Sequence, residues 1–251
     1  ETPIWLSRKL IGWENIYKGS SSLKNSWKKF KNALYDSKLI FTISKTSSNE
    51  LYKWTKLNAK AIVYPGIQIQ KNNYSNKKSK QICYIGRLEK SKNLDLLIKA
   101  FNKIDDDIRL LICGSGSQKS YLRSLIKKNK IKKVIFMGTV SEDEKWKVLR
   151  ESMMMVFPSS FEGFGVPPLE AVSSGTITIC SDLPIFKEVY KNSVIYFKEN
   201  NLEDLIYKIR YCLSNLDFEQ RRVIKNKSKF LKKYTWKKSS LKLNSVLRKN
   251  I

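Results

Sequence analysis

From Gln81 onward, short apolar runs alternate with longer amphipathic stretches: "QICYIG", "IRLLICG", "KVIFMG", "MMMVFPS" and "TITIC" are separated by "LDLLIKAFNKI", "YLRSLIKKNK", "DEKWKVLRES" and "PPLEAVSSG", and "PIFKEVY" follows. A short continuous apolar run closed by Gly or Pro predicts a strand buried on both faces, and the longer stretches carry the 3.6-residue period of helices. Their alternation predicts βαβ units, hence a doubly wound α/β domain on a parallel sheet over residues 81–234. Its ligand would sit outside the carboxyl ends of the strands, where the loops after "CYIG", "LICG", "IFMG" and "MVFP" gather.

Ahead of that domain, residues 1–70 predict a smaller α/β portion. It has an amphipathic helix carrying Trp27, Phe30, Leu34 and Tyr35, a strand "LIFTIS", a helix from about Thr46 to Leu57, and a strand "KAIVY" closed by "PG". Polar, lysine-rich "KNNYSNKKSK", residues 71–80, reads as a linker. Beyond Leu202 the pattern is helical, and residues 235–251 form a last basic amphipathic helix with Trp236, Leu241, Leu243, Val246 and Leu247. No internal repeat recurs at a fixed period.

Composition narrows the chemistry. A chain of 251 residues, 41% of them hydrophobic, can bury a substantial core. No run of ~18 apolar residues spans a bilayer, and the first segment lacks the layout of a secretory signal, so a cytoplasmic chain, docked peripherally on a membrane at most, is expected. The four cysteines are dispersed, without a C-x-x-C pair, and read as buried thiols. Forty-nine Lys and Arg against 22 Asp and Glu give a net charge of +27, which suits either an anionic membrane or nucleic acid, or else reflects a compositional bias. With no histidine in the sequence, His-based acid/base catalysis and the His-containing triads are excluded, and a catalytic zinc site is disfavoured. Chemistry must come from carboxylates, cations and backbone groups.

Three stretches offer such chemistry. In "GRLEKSKNLDLLIKAF" a strand ends at Gly86, so Arg87 projects from the sheet's carboxyl edge and Lys92 lies near the start of the next helix. Two cations beside a helix N-terminus make a diphosphate clamp, although a basic chain scatters such residues anyway. "ICGSGSQKSYL" resembles a dinucleotide-binding turn, but Lys119 occupies the third glycine position and no acid ends the next strand, so the fingerprint fails. In "SSFEGFGVPPLEAVSSG", Glu162 falls in a loop at the ligand edge, Pro167 and Pro168 suit the first turn of a helix, and Glu170 lies about one turn in. Gly163 and Gly165 allow close backbone approach to a ligand. Both carboxylates could accept hydrogen bonds from sugar hydroxyls, while Glu170 alone could simply complement a helix N-terminus.

Taken together, "CYIGRLEKSKNLDLLIKAF", "LLICGSGSQKSYL", "VIFMGTVSEDEKWKVL", "VFPSSFEGFGVPPLEAVSSGT" and "SDLPIFKEV" resemble, in order and spacing, the carboxyl-terminal domain of the group 1 (family 4) retaining glycosyltransferases. The resemblance is strong over about 79–197 and continues more weakly through "YTWKKSSLKLNSVL". "SKLIFTISKTSSNELYKW" and "AKAIVYPGI" are similar to the end of that family's first domain. The resemblance implies a GT-B fold and a UDP- or GDP-sugar donor bound mainly by the second domain, with neither cofactor nor metal required. It implies that Arg87 and Lys92 neutralise the donor diphosphate and that Glu162, first acid of the E-x7-E motif, lies near the transferred sugar, these three being catalytic. Glu170, the second acid, would take the ribose hydroxyls, and backbone groups of Gly163, Phe164, Gly165 and Val166 would approach sugar and phosphate. Gly138, Thr139 and Val140 would meet the nucleobase. At Lys92-Asn93 the chain departs from the family's Lys-Gly.

The expected function is therefore retaining transfer of a hexose from a nucleotide sugar to a glycan or lipid-linked acceptor. About seventy residues fall short of an acceptor domain of ordinary size, and the chain begins at Glu1, so a fragment, a processed form, or a short protein completed by a partner chain is expected. The alternative is a nucleotide-sugar-binding subunit without turnover of its own. Nucleic acid is not the expected partner, because the basic residues form no aromatic-interleaved array or helix-turn-helix pattern; the basic first segment and last helix fit an anionic membrane surface better.

Overall fold

The computed structural model describes residues 21–67, 78–104 and 107–250. The chain divides into two compact units, one of Glu1–Gln68, Phe161–Phe164 and Tyr234–Ile251, the other of Ile69–Ser160 and Gly165–Lys233. The expected basic first segment, most of the expected linker and the side chain of Trp27 lie outside the described residues.

Among the described residues the first unit carries helix α1 (Ser21–Asp36), then β1 (Phe41–Thr42), α2 (Lys45–Thr55) and β2 (Ala61–Ile62). β1 and β2 pair in parallel over two residues each, so the apolar runs expected to be strands are mostly extended chain with short ladders. Ser44 caps α2, its hydroxyl accepting from the Ser47 N–H at 2.9 Å, a bond that satisfies one of the orphan donors of the first turn. Tyr35 donates to the Thr55 carbonyl at 2.9 Å and ties α1 to the end of α2.

The second unit is a six-stranded, wholly parallel sheet of β3 (Ser79–Ile85), β4 (Arg109–Cys113), β5 (Val134–Gly138), β6 (Ser152–Phe157), β7 (Ile177–Ser181) and β8 (Ile195–Phe197), in the order β5-β4-β3-β6-β7-β8. The interleaved helices are α3 (Leu94–Phe101), α4 (Lys119–Lys128), α5 (Glu142–Glu151), α6 (Val166–Ser173) and α7 (Pro184–Tyr190), followed by α8 (Leu202–Ser214) and α9 (Leu216–Leu231). The chain winds from β3 outward to β5, then returns to lay β6 on the other side of β3, which makes the β3/β6 boundary a topological switch point. Ile82, Cys83 and Tyr84 of β3 and Met154, Met155 and Val156 of β6 are wholly buried, which is why these runs lack polar alternation. β5 differs from the expectation of burial on both faces. It forms an edge and leaves Ile135 38% and Met137 44% exposed.

Last comes α10 (Trp236–Leu247), which belongs to the first unit. Thr235 caps it, and Ser239 donates to the Tyr64 carbonyl at 2.6 Å.

Backbone hydrogen bonds lace together the exits of the three strands on one side of the switch point. Gly86 N–H donates to the Cys113 carbonyl at 3.0 Å, Leu88 to Ser115 at 2.8 Å, and Gly114 to Gly138 at 2.6 Å. The approach is so close that a Cβ on Gly114 would lie 1.9 Å from the Gly86 carbonyl oxygen, and Gly114 itself sits at φ +130°. Backbone strain of this kind costs roughly 1–3 kcal/mol, and the collision adds to it. Gly114→Ala is expected to lower unfolding free energy by about 3 kcal/mol, read as a fall in the urea midpoint; an unchanged midpoint would show that the strand exits are not held in this way.

Candidate functional site

A row of aromatic rings crosses the switch point inside the second unit. Tyr84 of β3 stacks on Phe157 of β6 with centroids 5.6 Å apart and planes 12° from parallel. Phe157 meets Phe186 of α7 at 6.0 Å, and Phe186 meets Tyr190 at 5.7 Å. All four side chains are buried. Each end of the row carries a hydroxyl that must find a partner when buried, and each finds a loop carbonyl. Tyr84 donates to Arg87 O at 2.8 Å, and Tyr190 donates to Gly165 O. The backbone of the Arg87 loop and the cap of α6 are thus held by opposite ends of one rigid row.

Both candidate cations belong to this frame. Arg87 is exposed. Lys92 closes a 3-10 turn (Lys90–Lys92), is buried to 8% exposure, and holds Nζ 6.0 Å from the Phe157 ring centroid. The loop after β6 is tied to the same turn, with Ser160 N–H and Oγ donating to Ser91 O at 2.9 and 3.2 Å. At the start of α6, Gly165 is the N-cap at φ +88°, a left-handed conformation natural for glycine, and a Cβ there would lie 2.7 Å from the Phe186 ring. Pro167 and Pro168 follow in the first turn and bring no N–H, so Gly165 and Val166 supply the donors at that helix end.

Glu170 has a partner that its sequence neighbourhood does not reveal. Lys145 of α5 reaches its Oε1 at 2.6 Å, with both side chains only 13% exposed, and also reaches Glu142 at 2.8 Å. One cation thus serves two anions. Burial pushes the Glu170 carboxyl above the ordinary carboxylate range, opposed by the hydrogen bond and charge of Lys145 and reinforced by Glu142. Burial works against the Lys145 charge as well, yet the hydrogen bonds it donates to Glu142 and Glu170 together hold its ammonium above the ordinary lysine range. A carboxylate kept in such surroundings is a candidate functional position, a description that structural ion-pair networks also meet. The loop Gly138–Val140 leads directly into this cluster: Thr139 is exposed, and Ser141 caps α5 in a box with Glu144.

Glu162, Gly163 and Phe164 pack with the first unit, although Gly165, Val166 and Glu170 belong to the second. Gly163 O accepts from Ser44 Oγ at 2.9 Å and from Ser47 Oγ at 3.2 Å. Phe164 is buried in a cluster with Tyr64 and Tyr234, at 6.2 and 5.5 Å between centroids. Glu162 is half-buried. The structure therefore gathers Arg87, Lys92, Gly165 and Val166 around one aromatic row, links Glu170 to the helix that follows Gly138–Val140, and places Glu162 with the other unit. Sequence reasoning missed Lys145, Tyr84 and Tyr190. Lys145 is hidden among many lysines; the tyrosines look like ordinary core, and only pairing in space shows their hydroxyls at work.

Among the described residues no group of three or more His, Cys, Asp or Glu could hold a metal ion, and no helix is long and apolar enough to cross a membrane. The four cysteines are buried and unbridged. Burial pushes the Cys83 thiol up to about 12, which leaves no nucleophilic thiolate there.

Comparison with known proteins identifies the family and the fold. Residues 67–230, more than half of the chain, match the family model described as "Glycosyl transferases group 1". An uncharacterised glycosyltransferase of Methanocaldococcus jannaschii is 32% identical over 162 residues, covering 62% of this chain and 42% of the relative. The O-antigen chain mannosyltransferase RfbU of Salmonella typhimurium is 31% identical over 163 residues, covering 63% and 46% respectively. The chain thus spans less than half the length of these two relatives. A solved structure of S. aureus TarM, in complex with fondaparinux, alpha-GlcNAc-glycerol and UDP, aligns at a TM-score of 0.79 and 18% identity over 88% of this chain and 46% of that one. The fold is that of the GT-B transferases.

Because the folded pKa of Glu170 is raised, its contribution to stability is present below the ordinary carboxylate range and lost as pH rises through the raised value. Glu170→Gln removes this titration. The stability of the parent relative to the variant is expected to fall as pH rises from the ordinary carboxylate range through the raised value, measured by urea unfolding at each pH; a constant or rising difference would contradict the assignment.

Proposed function

The chain belongs to the group 1 glycosyl transferases, and from that membership we propose that it carries the donor site of a transferase that moves a hexose, with retention of configuration, from a nucleoside-diphosphate sugar to a glycan or lipid-linked acceptor. The observation that carries this reading is the aromatic row, which anchors the Arg87 loop and the N-cap of α6 at the switch point. A diphosphate leaving there would gain negative charge as the sugar bond breaks. Preorganised cations and N–H groups aimed at that charge are the largest catalytic contribution such a site can make.

In this reading Arg87 takes diphosphate oxygens bidentately and Lys92 adds a point charge from its buried seat over Phe157. The N–H groups of Gly165 and Val166 face the same charge from the end of α6. Glu170 accepts from the ribose hydroxyls, backbone groups of Gly138, Thr139 and Val140 meet the base, and Glu162 serves the transferred sugar, with Gly163 and Phe164 shaping the backbone beside it. Two cations and a helix end offset the diphosphate charge, so the reaction as proposed uses neither metal nor cofactor. The name of the Salmonella relative supports a hexose such as mannose and a growing glycan chain as acceptor.

Calorimetric titration with UDP, GDP and their hexose conjugates tests the reading. One nucleotide should bind saturably, and Arg87→Ala and Glu170→Ala should each weaken it by about 10- to 100-fold, the loss of one charged hydrogen-bonding group. Product analysis with the bound donor then separates a transferase from a binding subunit that turns over only with an acceptor-side partner. Failure of every nucleotide to bind at millimolar concentration would overturn the proposal.

Where the acceptor is lipid-linked, α10 is the surface proposed to lie on an anionic membrane. It exposes Trp236 and Leu241, at 62% and 59%, beside Lys237, Lys238 and Lys242. Flotation with vesicles containing about 30% anionic lipid should carry the protein up and neutral vesicles should not; equal behaviour with both would remove the membrane from the scheme.

A further inference from the structure

Lys145 is a basic residue of the site that neither composition nor motif singles out, and two ion pairs constrain it. It stands in the first turn and a half of α5, directly after the Gly138–Val140 loop. Of the acids around it, Glu144 is consumed by the cap, accepting from Ser141 N–H and Oγ at 2.8 Å each. Glu142, three residues before Lys145 and 77% exposed, takes the ammonium from the solvent side. Glu170, 13% exposed, takes it from the protein side, through Oε1 alone. The ammonium is thus clamped between an outer and an inner carboxylate and cannot follow the solvent as an ordinary surface lysine does.

The inner carboxylate is affected most. A Glu side chain has three rotatable bonds, and a cation fixed at 2.6 Å from one oxygen leaves the group only a narrow swing about that contact. Glu170 Oε2 receives no hydrogen bond from a described residue, nor is it among the buried atoms left without a partner. It is thus oriented yet available as an acceptor. Lys145 also opposes the burial that favours the neutral acid, and a neutral carboxyl would offer a proton where an acceptor is wanted. Glu142 is the other charged group facing Glu170 from α5; β6 and β7 present no charged side chain to it, and on α9 Glu219 and Arg222 pair with each other at 2.5 Å.

We propose that Lys145 is a positioning residue for nucleotide recognition: seated by Glu142, it holds Glu170 so that Oε2 faces the ribose hydroxyls of a nucleoside diphosphate and gives the site its preference for ribose. The inference rests on the donor reading given above. It differs from a plain strap between α5 and α6, because a strap would affect all ligands alike, whereas a positioned acceptor affects only ligands with hydroxyls to donate. A site built to hydrogen-bond a hydroxyl discriminates strongly against an analogue that lacks it, since its own polar group is then left unpaired.

The test titrates UDP and GDP, each beside its 2′,3′-dideoxy counterpart, into the full chain and into Lys145→Met, Lys145→Arg, Glu142→Gln and Glu170→Ala. Glu170→Ala should abolish the ribose preference. Lys145→Met should weaken the ribonucleotide about tenfold, the size of one charged hydrogen bond, with the dideoxy affinity unchanged. Lys145→Arg should restore most of the preference, and Glu142→Gln, which keeps Lys145 and Glu170 and so guards against a folding defect in Lys145→Met, should lose part of it. If Glu170→Ala abolishes the preference but Lys145→Met and Glu142→Gln leave it intact, or weaken both ligands equally, Lys145 is only a strap and this inference fails while the donor reading stands. If Glu170→Ala itself leaves the preference unchanged, the assignment of Glu170 to ribose fails, and the inference fails with it.

Discussion

Everything at the ligand edge of the sheet depends on how a wholly parallel sheet solves its switch point. Between β3 and β6 the chain must turn two neighbouring strands into loops that part in opposite directions, and nothing in the strand ladder fixes those loops. The Tyr84–Phe157–Phe186–Tyr190 row supplies the missing constraint. Its inner members are large, rigid and dry, with the offset and tilted contacts favoured by ring quadrupoles, and its outer members end in hydroxyls that cannot stay unpaired in the core. Packing energy in the middle is converted into positional accuracy at the two ends, one on Arg87 and one on Gly165. The site is therefore supported from the core outward, an arrangement that holds binding groups more precisely than loops held only by each other.

A second constraint is electrostatic. The chain carries a large positive excess, yet the Glu170 carboxylate of the candidate site does not have a cation to itself; it shares Lys145 with Glu142. Among so many lysines a dedicated partner would be easy to supply. Sharing sets two influences on Glu170 against each other: Glu142 adds to burial in raising the carboxyl, while Lys145 opposes both and occupies Oε1 alone.

Much of this was legible in the chain. Continuous apolar runs ending in Gly gave away the parallel strands, because a strand covered on both faces has no reason to alternate, and Pro167 and Pro168 marked the start of α6 through the chemistry of the first turn. Arg87, Lys92 and Glu170 could be placed because each sits a fixed distance beyond a strand end. What escaped was whatever depends on long-range pairing. The run "LIFTIS" shrank to the two-residue β1 because short ladders are decided by neighbours, and β5 turned out half-exposed because its edge position is set by strand order. Glu162 was read with the domain around it in sequence, but the Gly163 carbonyl is claimed by Ser44 and Ser47, more than a hundred residues away along the chain. A local pattern cannot report that.

The edge strand β5 gives the lysine surplus a physical meaning separate from ligands. An outermost parallel strand presents a row of unsatisfied backbone donors and acceptors, a template onto which another molecule could zip. Ile135 and Met137 make this template sticky. Lys132 and Lys133 stand exposed at its entrance, Lys133 with its charge met by Asp107 at 2.7 Å, and a second copy laid alongside in the same direction would have to bring its own Lys132 against this one and strip water from both. A lysine that looks indiscriminate in the composition thus stands where charge discourages edge-to-edge pairing, an effect that should weaken as salt shortens its reach.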